Sequence, residues 1–155
     1  MSHSDDILEQ ALVGLGGIMM NCRDPWAVFG GAALRLHGVQ GEPVKDIDVL
    51  LSLEDAARIS ARLDLENEAD GGGDRFRSQF FLGLRLGDIP VELMAGFKVF
   101  SSGRWQGVEV VEPVRIKFRS AVASVAGMAD LKRIFELCGR PKDLQRLKLL
   151  QEMSA

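Results

Sequence analysis

The sequence predicts an α+β fold in which a mixed β-sheet of about five strands is packed with helices and the chain ends in a helical pair. Short apolar runs at strand spacing alternate with longer segments at helical spacing. Apolar residues make up 46% of the 155 positions, which is enough to bury a core without disulfides or metal sites. No internal repeat is present, so we expect residues 1–155 to form a single domain.

The first half of the chain predicts helices and strands in alternation. The expected elements are a helix over 5–20, a strand over 26–29, a helix over 32–37, a strand over 46–51 and a helix over 53–63. The pair Gly30-Gly31 predicts a turn between the first strand and the second helix. Ser52 has the side chain and the position of an N-cap for the third helix.

An acidic, glycine-rich segment over 66–74 follows and predicts an exposed, flexible connection. The elements expected after it are strands over 76–86, 90–97, 108–111 and 114–118 and helices over 128–137 and 142–153. Gly87 and Asp88 predict the turn between the first two of these strands. Gly139 and Pro141 separate the last two helices.

Composition and charge exclude several classes of function. The 19 Lys and Arg residues against 22 Asp and Glu give a formal net charge of -3, without the basic excess of a protein that coats duplex DNA. Every apolar stretch is shorter than the roughly 20 residues of a membrane span, so we expect no membrane partner. The N-terminal residues lack the pattern of a secretory signal, and Cys22 and Cys138 form no redox or zinc motif. We therefore expect a cytoplasmic protein with buried thiols.

Asp46 and Asp48 stand one residue apart in an otherwise apolar strand. Alternate residues of a strand face opposite sides of its sheet, so both carboxylates share one face while Ile47 and Val49 face the core. Such a pair requires solvation, a shared proton or a bound cation, and oxygen-only ligands suit Mg²⁺ or Mn²⁺. Because such pairs are also common on solvated strand faces, this pair alone leaves a structural interpretation open.

Glu92 lies between Val91 and Leu93 in another predicted strand. By itself it fits a solvent-facing residue of an edge strand. Together with Asp46 and Asp48 it predicts a third metal ligand. Three carboxylates on adjacent strands can hold two divalent ions for in-line displacement at a nucleotide phosphate.

Gly30 and Gly31 predict the second half of a nucleotide site. A glycine turn between a strand and a helix lets backbone amides approach a triphosphate closely. The pair could equally be a tight connection. His37, at the end of the following helix, is better explained by packing than by catalysis.

These motifs resemble, in their order along the chain, the signature of the DNA polymerase β nucleotidyltransferase superfamily. The matching segments are Phe29-Gly30-Gly31, Asp46-Ile47-Asp48 and Val91-Glu92-Leu93, within residues 26–93. Inside the superfamily, the sequence resembles the small bacterial nucleotidyltransferases of the AbiEii type, which belong to toxin–antitoxin systems. That finer resemblance rests on segments 30–33, 37–38, 130–132 and 139–144.

The resemblance implies a nucleotidyltransferase fold and a role for each matching residue. Asp46, Asp48 and Glu92 would be the catalytic residues and would bind the metal, Mg²⁺ or Mn²⁺. The residues that would contact the nucleotide phosphates are Gly30, Gly31, Lys132 and Lys142. Without the resemblance, the two lysines would be assigned no function beyond complementing helix dipoles or forming surface ion pairs.

Two functions follow as hypotheses. The first is an enzyme that moves a nucleoside monophosphate from a nucleoside triphosphate such as ATP to a hydroxyl of a protein, an RNA or a small molecule. The alternative is a catalytically weak or inactive module that binds a nucleotide or a partner in a toxin–antitoxin-like system, which the unusual loop over 40–45 favours. Because the chain is short, a homodimer or a toxin–antitoxin partner could complete the acceptor pocket.

Overall fold

The computed structural model describes residues 3–153 and confirms the α+β class. The helices are α1 (His3–Met19), α2 (Gly30–Leu36), α3 (Leu53–Leu63), α4 (Met128–Cys138) and α5 (Pro141–Met153). The strands are β1 (Ala27–Phe29), β2 (Ile47–Leu50), β3 (Phe76–Arg77), β4 (Phe80–Leu86), β5 (Ile89–Ala95), β6 (Lys98–Ser101), β7 (Arg104–Gly107), β8 (Pro113–Phe118) and β9 (Ala121–Ala126). The helices lie close to their predicted positions.

The main sheet of the described chain has six strands in the order β4-β5-β2-β1-β9-β8. β2 pairs with β5 in parallel, and β1 pairs with β9 in parallel. The other neighbouring strands are antiparallel. The sheet is therefore mixed, as the sequence predicts, but it has six strands where about five were expected.

The core forms where the apolar positions of the central strands pack together with α1. Ile47 and Val49 of β2 are fully buried, at 0% exposure. Leu8, Leu12 and Leu15 of α1 recur at helical spacing and are also buried, and α1 contacts β9, β4 and β5. Because Ile47 and Val49 occupy one face of β2, strand alternation turns the carboxylate of Asp48 to the other face.

Local signals place the ends of two helical segments. The Oγ of Ser52 accepts a hydrogen bond from the amide of Asp55 at 3.0 Å, which confirms the predicted N-cap of α3. α4 ends at Gly139 in the left-handed conformation, with φ of +65°, which glycine adopts at little cost. The chain turns there, and α5 packs against α4 as the predicted C-terminal pair.

The predicted strand over 76–86 is wrong as a single element. It is divided into β3, which pairs with β6, and β4, which pairs with β5 in the main sheet. β3, β6 and β7 form a separate three-stranded sheet. The β6-β7 hairpin is not predicted from the sequence, because its strands are short and mix polar and apolar residues without clear alternation.

The predicted strand over 108–111 is also wrong. The amides of Val111 and Glu112 donate to the carboxylate of Asp130, at 3.0 and 2.8 Å. β9, by contrast, is a strand that the sequence analysis does not include. Three of its six residues are alanine, which has a low strand preference, and its position between β1 and β8 decides its conformation.

Candidate active site

Strands β2 and β5 bring the three predicted carboxylates together. Asp48 of β2 pairs in register with Glu92 of β5, and Asp46 stands just before β2 on the same side as Asp48. One oxygen atom of each of the three carboxylates lies within 4.8 Å of the others. Asp46 is exposed, while Asp48 and Glu92 are half-buried, so the cluster opens to solvent on one side.

The electrostatics of this cluster favour a bound cation. The pKa of Asp48 is raised to about 8, first by burial and then by the negative charges of Asp46 and Glu92. The positive charge of Arg146 lowers that pKa and offsets only part of the effect. Carboxylate oxygens at this spacing fit a hard divalent cation such as Mg²⁺ or Mn²⁺, which would remove the repulsion.

Gly30 and Gly31 lie inside the first turn of α2, so the helix begins earlier than its predicted start at residue 32. Gly30 has φ of +72°, a conformation that favours glycine, and it lets the chain change from strand to helix within one residue. A Cβ on Gly30 would lie 3.0 Å from Oδ2 of Asp48. The structure therefore places the glycine segment directly against the carboxylate cluster.

Arg146 of α5 approaches the same segment. A Cβ on Gly31 would lie 3.0 Å from Nη2 of Arg146. The guanidinium is held by Glu42, whose Oε1 accepts from Nε at 3.0 Å and from Nη2 at 2.6 Å. Neither Arg146 nor Glu42 is among the predicted site residues. The pair joins positions 104 apart in sequence, and no local pattern links them.

A cavity of about 390 Å³ opens beside Asp48 and Glu92. Aromatic rings form much of its apolar wall, and charged side chains stand among them. The lining includes Phe29, Phe76, Phe81 and Phe97 together with Glu68, Asp70, Arg77 and Arg140. The cavity can therefore hold an organic group next to the carboxylates.

The segment over 66–74 is exposed, as expected, but part of it is tied to the main sheet. The amide of Glu68 donates to the carbonyl of Phe81 at 2.9 Å, and the side chain of Asn67 bonds the backbone of Phe81 and Gln79 at 3.0 Å. A Cβ on Gly83, the residue opposite Glu92, would lie 2.8 Å from Oε2 of Glu68. This segment thus forms a wall of the cavity.

The two predicted lysines lie elsewhere on the C-terminal helices. Lys132 is half-buried in α4 and Lys142 is exposed in the first turn of α5. The residues that line the cavity include neither lysine, so their contact with phosphate stays a prediction. Arg140 does line the cavity, where it bonds the carboxylate of Asp143 and stacks over Phe76 at 4.8 Å.

His37 and the two cysteines have surroundings typical of structural residues. Nε2 of His37 lies 2.8 Å from the carbonyl oxygen of Ala126, in keeping with the packing role that its sequence position favours. Cys138 is buried and Cys22 is half-buried, and burial raises the pKa of each thiol to about 11. Both thiols are therefore uncharged near neutral pH.

Comparison with known proteins identifies the fold. No protein-family model and no curated protein sequence matches the chain. Among solved structures, TM1012 of Thermotoga maritima, which is assigned as a nucleotidyltransferase, is 21% identical with a TM-score of 0.68; the alignment covers 95% of this chain and 92% of that one. ANT(2'')-Ia in complex with adenylyl-2''-tobramycin is 12% identical with a TM-score of 0.58, covering 99% and 91%. The lincosamide antibiotic adenylyltransferase LnuA, bound to lincomycin, is 11% identical with a TM-score of 0.59, covering 92% and 96%.

These similarities show that the chain has the nucleotidyltransferase fold, as the sequence resemblance implies. The finer resemblance to AbiEii-type proteins stays a prediction, because none of these three structures is described in those terms. No helix within residues 3–153 is long and apolar enough to cross a bilayer.

Proposed function

We propose that this protein is a divalent-metal-dependent nucleotidyltransferase. It would transfer a nucleoside monophosphate from a nucleoside triphosphate to a hydroxyl group and release pyrophosphate. The observation that carries the proposal is the cluster of Asp46, Asp48 and Glu92, with oxygens within 4.8 Å of one another, beside Gly30 on a nucleotidyltransferase fold. Three carboxylates without a matching number of cations are costly to a fold unless a ligand neutralises them.

In this proposal Asp46, Asp48 and Glu92 hold two ions of Mg²⁺ or Mn²⁺. When bound, the ions polarise the transferring phosphate and lower the pKa of the attacking hydroxyl. Glu92 faces the cavity and accepts the proton of that hydroxyl. The hydroxyl oxygen then forms a bond to the α-phosphorus, the bond from that phosphorus to the bridging oxygen breaks, and pyrophosphate leaves with the electron pair.

The cavity favours a small molecule as the acceptor among the three classes that the sequence leaves open. Its volume of about 390 Å³ and its aromatic wall suit a compact organic group. The structures of ANT(2'')-Ia and LnuA were solved with adenylyl-2''-tobramycin and lincomycin. We therefore propose an acceptor of similar size with an accessible hydroxyl.

Thermal unfolding with each of ATP, GTP, CTP and UTP, with and without Mg²⁺ or Mn²⁺, tests the proposal. We expect at least one triphosphate to raise the melting temperature only when metal is present, because binding to the native state stabilises it. Asp48→Asn should abolish that shift. Asp88→Asn, in the exposed turn between β4 and β5, is the matched control and should preserve it.

If a triphosphate stabilises the protein in the presence of metal, the protein is then assayed for turnover with radiolabelled triphosphate and a cell extract. Transfer of label to an acceptor, with release of pyrophosphate, is the expected result. Binding without transfer to any acceptor would favour the inactive nucleotide-binding module. The absence of metal-dependent stabilisation by every triphosphate would contradict the enzyme and favour a partner-binding module.

A further inference from the structure

The side chains of Asp48 and Arg146 lie close to the two-residue segment Gly30-Gly31. The position of a Cβ on Gly30 is 3.0 Å from Asp48 Oδ2, and that of a Cβ on Gly31 is 3.0 Å from Arg146 Nη2. The guanidinium is also close enough to lower the pKa of Asp48. We propose that Arg146 binds the triphosphate of the nucleotide beside this segment and that Glu42 positions its guanidinium. This inference rests on the proposed function and adds two residues to the same site.

The guanidinium of Arg146 keeps donors for an incoming anion. Glu42 uses a single oxygen, Oε1, to accept from both Nε and Nη2. Arginine has five N–H donors in a planar fork, and within residues 3–153 nothing accepts a hydrogen bond from its Nη1. This fork matches the oxygens of a phosphate.

The guanidinium of Arg146 lies close to the backbone at position 31. Gly31 has no positive φ, so a side chain there would meet no backbone strain. It would instead meet Arg146, because a Cβ would lie 3.0 Å from Nη2 and 3.4 Å from Cζ. Glycine at this position therefore lets the guanidinium lie against the backbone of α2, next to the carboxylates that would hold the metal.

Glu42 acts as a positioning residue in this arrangement. The side chain of Arg146 is 17% exposed and that of Glu42 is 38% exposed, so the ion pair is partly shielded from water. A long arginine side chain otherwise loses considerable rotamer entropy when it orders around a ligand. The bond to Glu42 and the contact with the ring of Phe135, at 6.0 Å, hold the guanidinium in place before the nucleotide arrives.

The loop over 40–45 thereby acquires a role in the site. This loop, whose sequence favours the hypothesis of an inactive module, includes Glu42. Its contact with α5 connects the loop, the last helix and the Gly30-Gly31 segment through one side chain. The unusual loop is therefore compatible with an active nucleotide site.

Equilibrium binding of three probes in the presence of Mg²⁺ tests this inference. The probes are inorganic tripolyphosphate, the nucleoside triphosphate that stabilises the wild-type chain most, and the corresponding nucleoside. We expect Arg146→Ala to weaken the affinity for the first two about 10- to 100-fold, the effect of losing charge-assisted hydrogen bonds, and to leave nucleoside affinity unchanged. Arg146→Lys, which keeps the charge without the fork, should fall between the wild type and Arg146→Ala.

Arg35→Ala is the matched control. Arg35 is 19% exposed and bonds Asp5 at 3.0 Å, so its environment resembles that of Arg146, but it contacts α1 instead of the site. Its substitution should leave triphosphate affinity unchanged. Melting temperatures of all variants show whether the fold is retained, and Arg146→Lys provides the test if Arg146→Ala does not fold.

Substitutions of Glu42 test the positioning role separately. Glu42→Ala should weaken tripolyphosphate binding about 3- to 10-fold, because the arginine side chain then loses its conformational entropy when the ligand binds. Glu42→Gln should have a smaller effect. A tighter complex in Glu42→Ala would show that Glu42 competes with phosphate and would overturn its positioning role.

The outcomes separate this inference from the proposed function. If the wild-type chain binds the triphosphate and Arg146→Ala binds it equally well, Arg146 is no phosphate ligand and the proposed function still stands. If the wild-type chain binds neither tripolyphosphate nor any nucleoside triphosphate with Mg²⁺, both proposals fail together.

Discussion

The carboxylates of this protein divide into two kinds of environment. Asp55, 1% exposed, accepts from the amides of Arg23 and Asp24 at 3.0 and 2.9 Å and from the guanidinium of Arg58. Burial by itself would raise its pKa, but these hydrogen bonds outweigh it and the pKa is lowered. In the cluster of Asp46, Asp48 and Glu92, here called the acidic site, burial and like charges instead raise the pKa of Asp48 to about 8.

Asp130 repeats the pattern of Asp55. It is 3% exposed and accepts from the amides of Val111 and Glu112 and from Arg133, and these bonds lower its pKa against the effect of burial. Such carboxylates hold loops in place with donors from the same chain. Within residues 3–153, no backbone amide and no guanidinium hydrogen-bonds the carboxylates of Asp46, Asp48 and Glu92 in this way, so their charge is available to a ligand from outside.

The largest expected effect follows from removing one charge from the acidic site. Asp48→Asn should reduce nucleotidyl transfer about 1000-fold or more, because several kcal/mol of metal-dependent stabilisation of the transition state is lost. The metal-free variant should be at least as stable as the wild type, because an amide avoids the cost that burial and the neighbouring negative charges place on an ionised Asp48. Turnover and melting temperature in EDTA measure the two effects. A marked loss of stability would show that Asp48, like Asp55, serves to stabilise the fold.

Asp55→Ala should have the opposite profile. It removes the acceptor for two backbone amides and leaves Arg58 without its partner, so we expect the free energy of unfolding to fall by about 2–4 kcal/mol. Urea unfolding measures this loss, with the exposed Glu152→Ala as control. Triphosphate affinity of the folded fraction should stay unchanged. An unchanged unfolding midpoint would refute the anchoring role.

The pH dependence of stability should also differ between the two kinds. The raised pKa of Asp48 gives stability that is present below about pH 4 and is lost as the pH rises towards about 8. We expect the melting temperature in EDTA to fall by a few degrees across that window, and Mg²⁺ or Asp48→Asn should flatten the profile. The lowered pKa values of Asp55 and Asp130 give stability that is present above about pH 4 and is lost in stronger acid. A decline that persists in Asp48→Asn would contradict this assignment.

The smallest expected effect concerns Lys142. Its side chain is exposed at the first turn of α5, so its charge is screened by water. Lys142→Ala should weaken Mg²⁺–triphosphate binding by no more than about 3-fold, comparable to a surface ion pair. Titration at low and high salt measures the effect. A loss as large as that expected for Arg146→Ala would place Lys142 in direct contact with phosphate.

Features with a local cause could be predicted from the sequence. The side chain of Ser52 caps α3 by accepting a hydrogen bond from the amide of Asp55, three residues further along the chain. Gly139 ends α4 because glycine adopts the left-handed conformation at little cost. β9 and the β6-β7 hairpin could not be predicted, because alanine-rich or short mixed strands acquire their conformation from neighbours. The wall formed by residues 66–74 depends likewise on pairing with β4.

The sequence by itself determined that Asp46 and Asp48 share one face of a strand. It also determined that Glu92 faces the side of the sheet opposite to that of Val91 and Leu93, since strand alternation is a local property. Only the tertiary structure decided that Asp48 lies in register with Glu92 and that Glu42 holds Arg146 against Gly31. Strand order and long-range charge pairing depend on how the whole core packs, and no residue carries that information alone.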